Sequence, residues 1–314
     1  MQQENNTEES EKGIEIASDG DVFLVVGPKE ARIRVSSRSM MGASKPFFAM
    51  FNPDWNEGRN LLSQDEPVDV HLPEDDPEAL KLICAIIHHR NEAVPRKLSP
   101  VEVFRVAVAA DKYDCISVLK FASETWLRLR EMNAQDMAFL TTAAYILWNA
   151  EAFKVLTKAL VLSYDGPYLA LCCEQIESAM TWRVFCLLEG QRSLARLDLA
   201  DILQSGINAG DCCHRCGWNS KYAYAYLRLL QNNGLRPTQL VNISKAINSV
   251  GLLPDPVPEE RSTDCTYGYK HTPPEYKKDR RWQVERLESN TGLCLFCVRE
   301  GEGNPSHCSI DHSP

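Results

Sequence analysis

The feature that most constrains the fold is an unbroken apolar run at residues 22–26, which leads at once into turn residues and an alternating run. An apolar stretch of this length predicts a strand that is covered on both faces and lies centrally in its sheet. Gly27 and Pro28 then supply turn chemistry. Ile33 and Val35 alternate with arginines, which predicts a second strand with one solvated face. Together the two runs predict a hairpin.

Signals for the start of a helix recur after this hairpin. In three places a residue that caps helices well, Ser or Asp, is followed within two positions by Pro, which is favoured in the first turn. Between the first and second of these places, the alternate apolar residues of VDVHL at 68–72 predict a third strand. The resulting order of strands and short helices predicts an α+β unit. The three pairs are Ser44 with Pro46, Asp76 with Pro77, and Ser99 with Pro100.

This order of elements resembles a BTB/POZ domain over residues 19–129. The resemblance rests on Asp21 before the first strand and on the segments SKPFFAMF, VDVHLPEDDPEAL and AADKYD. It implies a short mixed sheet flanked by helices and a protein-binding module that self-associates or recruits the cullin scaffold of a ubiquitin ligase. It implies no catalytic residues. The layout as a whole resembles that of BTB proteins of filamentous fungi.

Four residues are expected to contact a partner: Asp21, Phe51, Trp55 and Glu57. In BTB dimers of the zinc-finger transcription factor type, the matching Asp pairs with a basic residue, whereas Ser37 stands at that place here. Asp21 should therefore be solvated or accept from another donor, and the usual homodimer is disfavoured. Trp55-Asn56-Glu57 resembles the hydrophobic-x-Glu signal of cullin adaptors. The alternative is that Trp55 covers the edge of the core while Glu57 lies on a solvated loop.

Charge and composition favour an intracellular protein, in the cytoplasm or the nucleus. The formal net charge is −9 and the isoelectric point about 5.4, which disfavours binding to nucleic acid or to an anionic membrane. The acidic segment 1–18 is expected to be disordered, because it combines high charge with few apolar residues. No apolar run reaches the roughly twenty residues that a membrane span needs. We expect no small-molecule substrate.

Residues 130–210 are expected to form a helical extension, since apolar residues recur there at helical spacing with no strand-like alternation. Residues 211–314 are expected to form a region of helices and loops. Within it the basic run of Lys277, Lys278, Arg280 and Arg281 can be interpreted either as a nuclear-import signal or as a solvated run of charge.

Two CxxC pairs predict that one structural zinc ion closes this C-terminal region. The ligands would be Cys213, Cys216, Cys294 and Cys297, since CxxC spacing lets two thiolates hold one tetrahedral ion from a tight turn. Gly217 and Gly292 flank the pairs, where the backbone must turn. The twelve cysteines of a chain without a secretion signal favour reduced thiols. Cys308 and His312 are candidate ligands of a second or mixed site, and Cys212, His214, Cys265 and His307 are further donors. The alternative is that the cysteines pack as small apolar residues.

The sequence therefore predicts a non-enzymatic protein-binding chain, in one version a substrate adaptor of a cullin-RING ubiquitin ligase. The alternative is a self-associating nuclear or transcriptional regulator. An enzyme that uses the CxxC thiols is disfavoured, because CCHRCGW follows a helix end and a loop, whereas thiol redox motifs begin a helix after a strand.

Overall fold

The fold combines a small sheet with many helices, as the sequence predicted. A computed structural model describes residues 14–52, 54, 58, 66–209, 216–236, 242–256, 265, 271, 274–301 and 308. The chain divides into two compact units. Residues 1–152 and 178–180 form the sheet unit, and residues 153–177 and 181–314 form the helical unit.

In the described residues the strands are β1 (Ile14–Glu15), β2 (Val22–Val26), β3 (Ala31–Val35) and β4 (Val68–Leu72). The helices of the same residues, numbered α1 to α13 in chain order, are Ser37–Ala43, Lys45–Met50, Pro77–Ile87, Pro100–Lys112, Lys120–Trp126, Ala134–Ile146, Ala150–Ser163, Glu174–Ala179, Arg183–Ser205, Trp218–Asn232, Ile243–Leu252, Tyr276–Asn290 and Leu295–Glu300.

The sheet has the order β1-β3-β2-β4. β2 and β3 form the predicted antiparallel hairpin, with Leu24 opposite Ile33, and β4 runs parallel to β2, with Leu24 opposite Val70. Strand β2 is therefore paired on both edges, and four of its five residues are buried. The alternation in β4 is also confirmed, because its apolar residues are buried and its polar residues exposed. On the polar side Arg32 donates two 2.7 Å hydrogen bonds to the Asp69 carboxylate.

The predicted helix starts are confirmed by their capping hydrogen bonds. The Ser44 hydroxyl accepts from the backbone N–H of Phe47, and the Asp76 carboxylate accepts from that of Ala79. Ser99 forms a full capping box with Glu102. Each cap satisfies a backbone donor that the first turn of a helix leaves without a partner.

The acidic segment does not remain irregular up to residue 18. Ile14 and Glu15 form β1 and pair in parallel with β3, and Ile16 is buried. The physical reason is that Ile14 begins, and Ile16 directly follows, a two-residue strand beside the edge of β3, where pairing satisfies backbone groups of both strands. The prediction of disorder is therefore wrong for these residues, and residues 1–13 lie outside the described part.

A buried polar cluster ties β4 to the helices of the sheet unit. The Asp75 carboxylate, 9% exposed, accepts 2.8 Å hydrogen bonds from the Lys112 ammonium and from the Tyr113 hydroxyl. The Tyr113 carbonyl accepts from the Ser44 hydroxyl, and its ring stacks on Phe47 with the centroids 4.4 Å apart. Burial, and then the hydrogen bond to Asp75, raise the pKa of Tyr113 above its ordinary value. Tyr113 is thus held as a neutral donor.

The division into units differs from the predicted boundary between residues 129 and 130. Helix α6 belongs to the sheet unit, where the ring of Phe139 lies 5.4 Å from that of Phe104 on α4. The helical unit begins within α7, at residue 153. Helical spacing identifies a helix and its apolar residues, but it does not say which neighbour covers them. The predicted helical extension 130–210 is therefore shared between the two units.

The basic run of α12 is not wholly solvated. Arg280 is 0% exposed, and its guanidinium donates to the backbone carbonyls of Val250 and Leu253 at the end of α11. Lys277, Lys278 and Arg281 are exposed. A nuclear-import signal needs its basic side chains accessible, so the burial of Arg280 argues against that interpretation and assigns this side chain to packing.

We predict that Tyr113→Phe destabilises the chain by about 1 to 2 kcal/mol, because Asp75 loses a buried donor. The raised pKa of Tyr113 contributes stability that is present below the ordinary tyrosine pKa of about 10 and is lost as the pH rises further. The loss of stability above about pH 10 should therefore be smaller in the variant. Urea unfolding followed by circular dichroism across this pH range measures both effects.

The matched control is Tyr224→Phe, since Tyr224 is 63% exposed. It should change the free energy of unfolding by less than about 0.5 kcal/mol. Equal effects of the two substitutions would contradict the role given to the Asp75 cluster.

Candidate metal centre

Three thiols of the helical unit converge: Cys294, Cys297 and Cys308. Their sulfur atoms all lie within 4.8 Å of one another, and those of Cys297 and Cys308 are 3.4 Å apart. Two thiolates on one tetrahedral zinc ion, each with a bond of about 2.3 Å, would lie about 3.8 Å apart. The three sulfurs are close enough that the cluster could hold one metal ion.

The start of α13 explains how Cys294 and Cys297 meet. Cys294 is the N-cap residue with an extended backbone, and Cys297 is the third residue of the helix. Residues three apart at this position lie on the same side of the first turn. Cys297 is 1% exposed, and its neighbours Leu295 and Val298 are buried as well. The CxxC pair is thus held by the packing of its own helix.

The segment before the pair is anchored by two buried polar side chains. Gln191 of α9 donates from its side-chain amide to the Gly292 carbonyl at 3.1 Å, and its side-chain oxygen accepts from the Gly292 N–H at 3.0 Å. The N–H of Leu293 donates to the hydroxyl of Thr157 on α7 at 2.9 Å. These hydrogen bonds satisfy a buried irregular backbone and fix where α13 begins.

The backbone at residue 292 passes so close to Lys154 that only glycine fits there. The φ of Gly292 is +115°, and a Cβ atom there would lie 2.6 Å from the Lys154 carbonyl oxygen. Gly217, after the other CxxC motif, has a φ of +71° but no atom within 4 Å of such a Cβ. Both glycines were predicted to mark backbone turns, and both adopt the positive φ that glycine favours. Only Gly292 is also limited by space.

Burial and the neighbouring thiols disfavour the charged form of Cys297. Burial, followed by the hydrogen bonds among the thiols, raises the pKa of Cys297 to about 12. A thiol in this environment gives up its proton at neutral pH only when a positive charge stabilises the thiolate. A metal ion supplies that charge, and its binding would release protons.

The ligand set differs from the predicted one. Cys294 and Cys297 lie together as predicted, and Cys308, a candidate for a second or mixed site, is the third member of their group. In the described residues Cys216 groups instead with Cys265 and His271. CxxC spacing identifies a pair of ligands but does not determine which pairs share an ion, and this is why one joint site was predicted. Cys213 and His312 lie outside the described residues.

His271 was missed by the sequence analysis, and Cys265 was named only as a further donor. The two are six positions apart in a segment poor in regular pattern, CTYGYKH. That spacing matches no familiar zinc motif. The available signal was the coincidence of a Cys and a His in a long segment that needs an anchor.

The predicted partner-contact residues fall into different environments. Asp21 is exposed and accepts from the backbone N–H of Ser37 at 2.7 Å and from the Ser37 hydroxyl at 2.6 Å. The missing cation is thus replaced by two donors of one residue.

Phe51 is 3% exposed and stacks on Phe47, so the prediction that it faces a partner is corrected: the ring is part of the core. Trp55 and Glu57 lie outside the described residues.

His88 carries the hydrogen bonds that define one tautomer. Its Nδ1 lies 2.8 Å from the Cys84 carbonyl, and its Nε2 accepts from the N–H of Ser36 at 2.9 Å. A carbonyl can only accept and a backbone N–H can only donate, so the proton is on Nδ1. His88 therefore joins the end of α3 to Ser36, the N-cap residue of α1.

The sheet unit also has an open apolar groove of about 740 Å³. It is lined by α1, by the end of α3 and the segment that follows it, and by α5. The hydrogen bond from the Trp126 indole N–H to the Pro95 carbonyl, 2.9 Å, fixes one wall. Phe121 lines the groove with 82% of its surface exposed. An exposed aromatic ring in an apolar groove is a feature of protein-binding surfaces.

Comparison of the chain with protein-family models, with curated proteins and with solved structures found no match. In the part of the chain that the structure describes, no helix has the length and apolar character needed to cross a membrane.

We predict that Gly292→Ala lowers the free energy of unfolding by about 3 kcal/mol or more, because it combines a positive φ with a steric clash. Gly217→Ala, with a positive φ alone, should cost about 1 to 2 kcal/mol. Gly190, inside α9 with open space around it, is the matched control. Gly190→Ala should be neutral or stabilise by up to about 1 kcal/mol. Chemical denaturation measures all three, and equal losses for Gly292→Ala and Gly217→Ala would contradict the close approach at Lys154.

Proposed function

We propose that this chain is a non-enzymatic protein-binding module whose sheet unit is of the BTB/POZ type. The order of elements supports the proposal. In the described residues an antiparallel hairpin, β2 and β3, is followed by the short helices α1 and α2 and later by β4, which lies parallel to the first hairpin strand, and further helices follow. The resemblance over residues 19–129 implies a short mixed sheet flanked by helices, and these elements are consistent with it.

The groove beside Phe121 carries the proposal of protein binding. It is open, it is lined mainly by apolar residues, and it presents a large aromatic ring to solvent. A ring exposed in this way loses contact with water when a partner covers it, and this favours binding.

The state of the buried thiols argues against a catalytic cysteine. Burial raises the pKa of Cys115 to about 12, and it raises the pKa of Cys84 above its ordinary value. A nucleophilic cysteine needs a lowered pKa, because the thiolate is the reactive species.

The specific function that we propose to test first is that of an adaptor of a cullin-RING ubiquitin ligase, with Trp55 and Glu57 as the residues that contact the cullin. The satisfied Asp21 supports it over the homodimeric regulator. Both carboxylate oxygens of Asp21 accept hydrogen bonds from Ser37 of the same chain, so no second copy is needed to stabilise this charge.

We further propose that the metal of the Cys294, Cys297 and Cys308 cluster is zinc and that its role is structural. Thiolates are soft ligands, which favour zinc over magnesium or calcium. A structural site needs a fourth donor to complete a tetrahedron, and His312 is the candidate that the sequence offers. With its ligands on α13 and at Cys308, the ion would hold the C-terminal segment to the helical unit.

We predict that the purified chain binds the N-terminal domain of a BTB-associated cullin with micromolar or tighter affinity. Trp55→Ala and Glu57→Ala should each weaken binding at least about tenfold, since contacts at an interface centre carry about 1.4 kcal/mol or more. Isothermal titration calorimetry measures the affinities.

The matched controls are Trp182→Ala and Glu74→Ala, because both side chains are exposed and lie outside the 55–57 segment. Both should bind like the unmodified chain. A folded chain that does not bind the cullin, and that light scattering identifies as a stable dimer, would contradict the adaptor version in favour of the self-associating regulator. Phe121→Ala then tests whether the groove forms that dimer.

A further inference from the structure

The helical unit contains a second group of metal-ligating side chains that shares no residue with the first. The ligand atoms of Cys216, Cys265 and His271 all lie within 4.8 Å of one another. The sulfur of Cys216 is 3.3 Å from Nε2 of His271. A sulfur and an imidazole nitrogen on one tetrahedral zinc ion, with bonds of about 2.3 and 2.0 Å, would lie about 3.5 Å apart. The observed spacing fits such an ion.

The ring of His271 is held in a defined orientation. It stacks on the indole of Trp218, with centroids 4.8 Å apart and the planes 4° from parallel. Trp218 is 6% exposed and is the first residue of α10, directly after Gly217. A stacked imidazole keeps its plane, so Nε2 stays directed towards the sulfur of Cys216.

The positions of the ligands along the chain explain what an ion would do. Cys216 ends the segment before α10, while Cys265 and His271 belong to the long segment between α11 and α12. Cys265 is 5% exposed. An ion bound by these three residues would tie Cys265 and His271 to the start of α10.

We propose that Cys216, Cys265 and His271 bind a second zinc ion, separate from the ion at Cys294, Cys297 and Cys308. Two sulfurs and one imidazole nitrogen favour zinc over the hard cations. Cys213, which lies outside the described residues, is at the CxxC spacing from Cys216 in the sequence and is the candidate fourth ligand. The chain therefore binds two zinc ions rather than the one predicted from the two CxxC pairs.

The test is the zinc content of the purified full chain, measured by elemental analysis after removal of loosely bound metal. The unmodified chain should hold two equivalents. Cys265→Ser and Cys297→Ser should each hold one, and the double variant none. Cys186→Ser is the matched control, because Cys186 is an exposed thiol outside both groups, and it should keep two equivalents.

Cys265→Ser could lose metal because it fails to fold rather than because it lacks a ligand. A second variant, which replaces one ligand by another, distinguishes these two causes. His271→Cys should still bind two equivalents of Co²⁺, with thiolate-to-cobalt charge-transfer absorption stronger than that of the unmodified chain. Two results would overturn the proposal. One is a folded Cys265→Ser chain with the metal content of the unmodified chain. The other is a His271→Cys chain whose cobalt spectrum is unchanged.

Discussion

The double hydrogen bond between the side-chain amide of Gln191 and the backbone of Gly292 determines where the C-terminal cysteines can lie. Gln191 is 5% exposed, so both partners are removed from water and neither can exchange the contact for solvent. Gly292 accepts this position only because it has no Cβ atom to meet Lys154. From this point the chain enters α13, and Cys294 and Cys297 follow within five residues.

In the helical unit, direct hydrogen bonds connect the helices to one another, whereas the proposed metal ligands connect the segments between them. Tyr276 of α12 donates to the Ile202 carbonyl, and the buried Arg280 of α12 donates to carbonyls at the end of α11. These contacts join helices that apolar packing already holds. The proposed metal ligands lie at helix ends and in the segments between helices. An ion bound there would contribute free energy of folding to these segments.

Much of the sheet unit could be predicted because its signals are local. Strand β2 is unbroken and apolar, β4 alternates, and Ser44, Asp76 and Ser99 cap helices through their own side chains. The errors came from effects that local patterns do not carry. The high charge of the first residues predicted disorder, whereas β1 pairs with β3. The residue type of Phe51 did not distinguish a ring that faces a partner from a ring that is buried in the core. The pairing of Cys216 with His271 depends on the tertiary fold over fifty-five positions.

In the two proposed sites of the helical unit, zinc is bound by sulfur atoms of the grouped cysteines and by the imidazole of His271. Extended X-ray absorption at the zinc edge of the purified full chain tests this most directly. The predicted first shell contains mostly sulfur at about 2.3 Å together with nitrogen at about 2.0 to 2.1 Å, and outer-shell scattering from an imidazole ring. A first shell of oxygen and nitrogen alone, or a folded chain that retains no zinc, would contradict the claim.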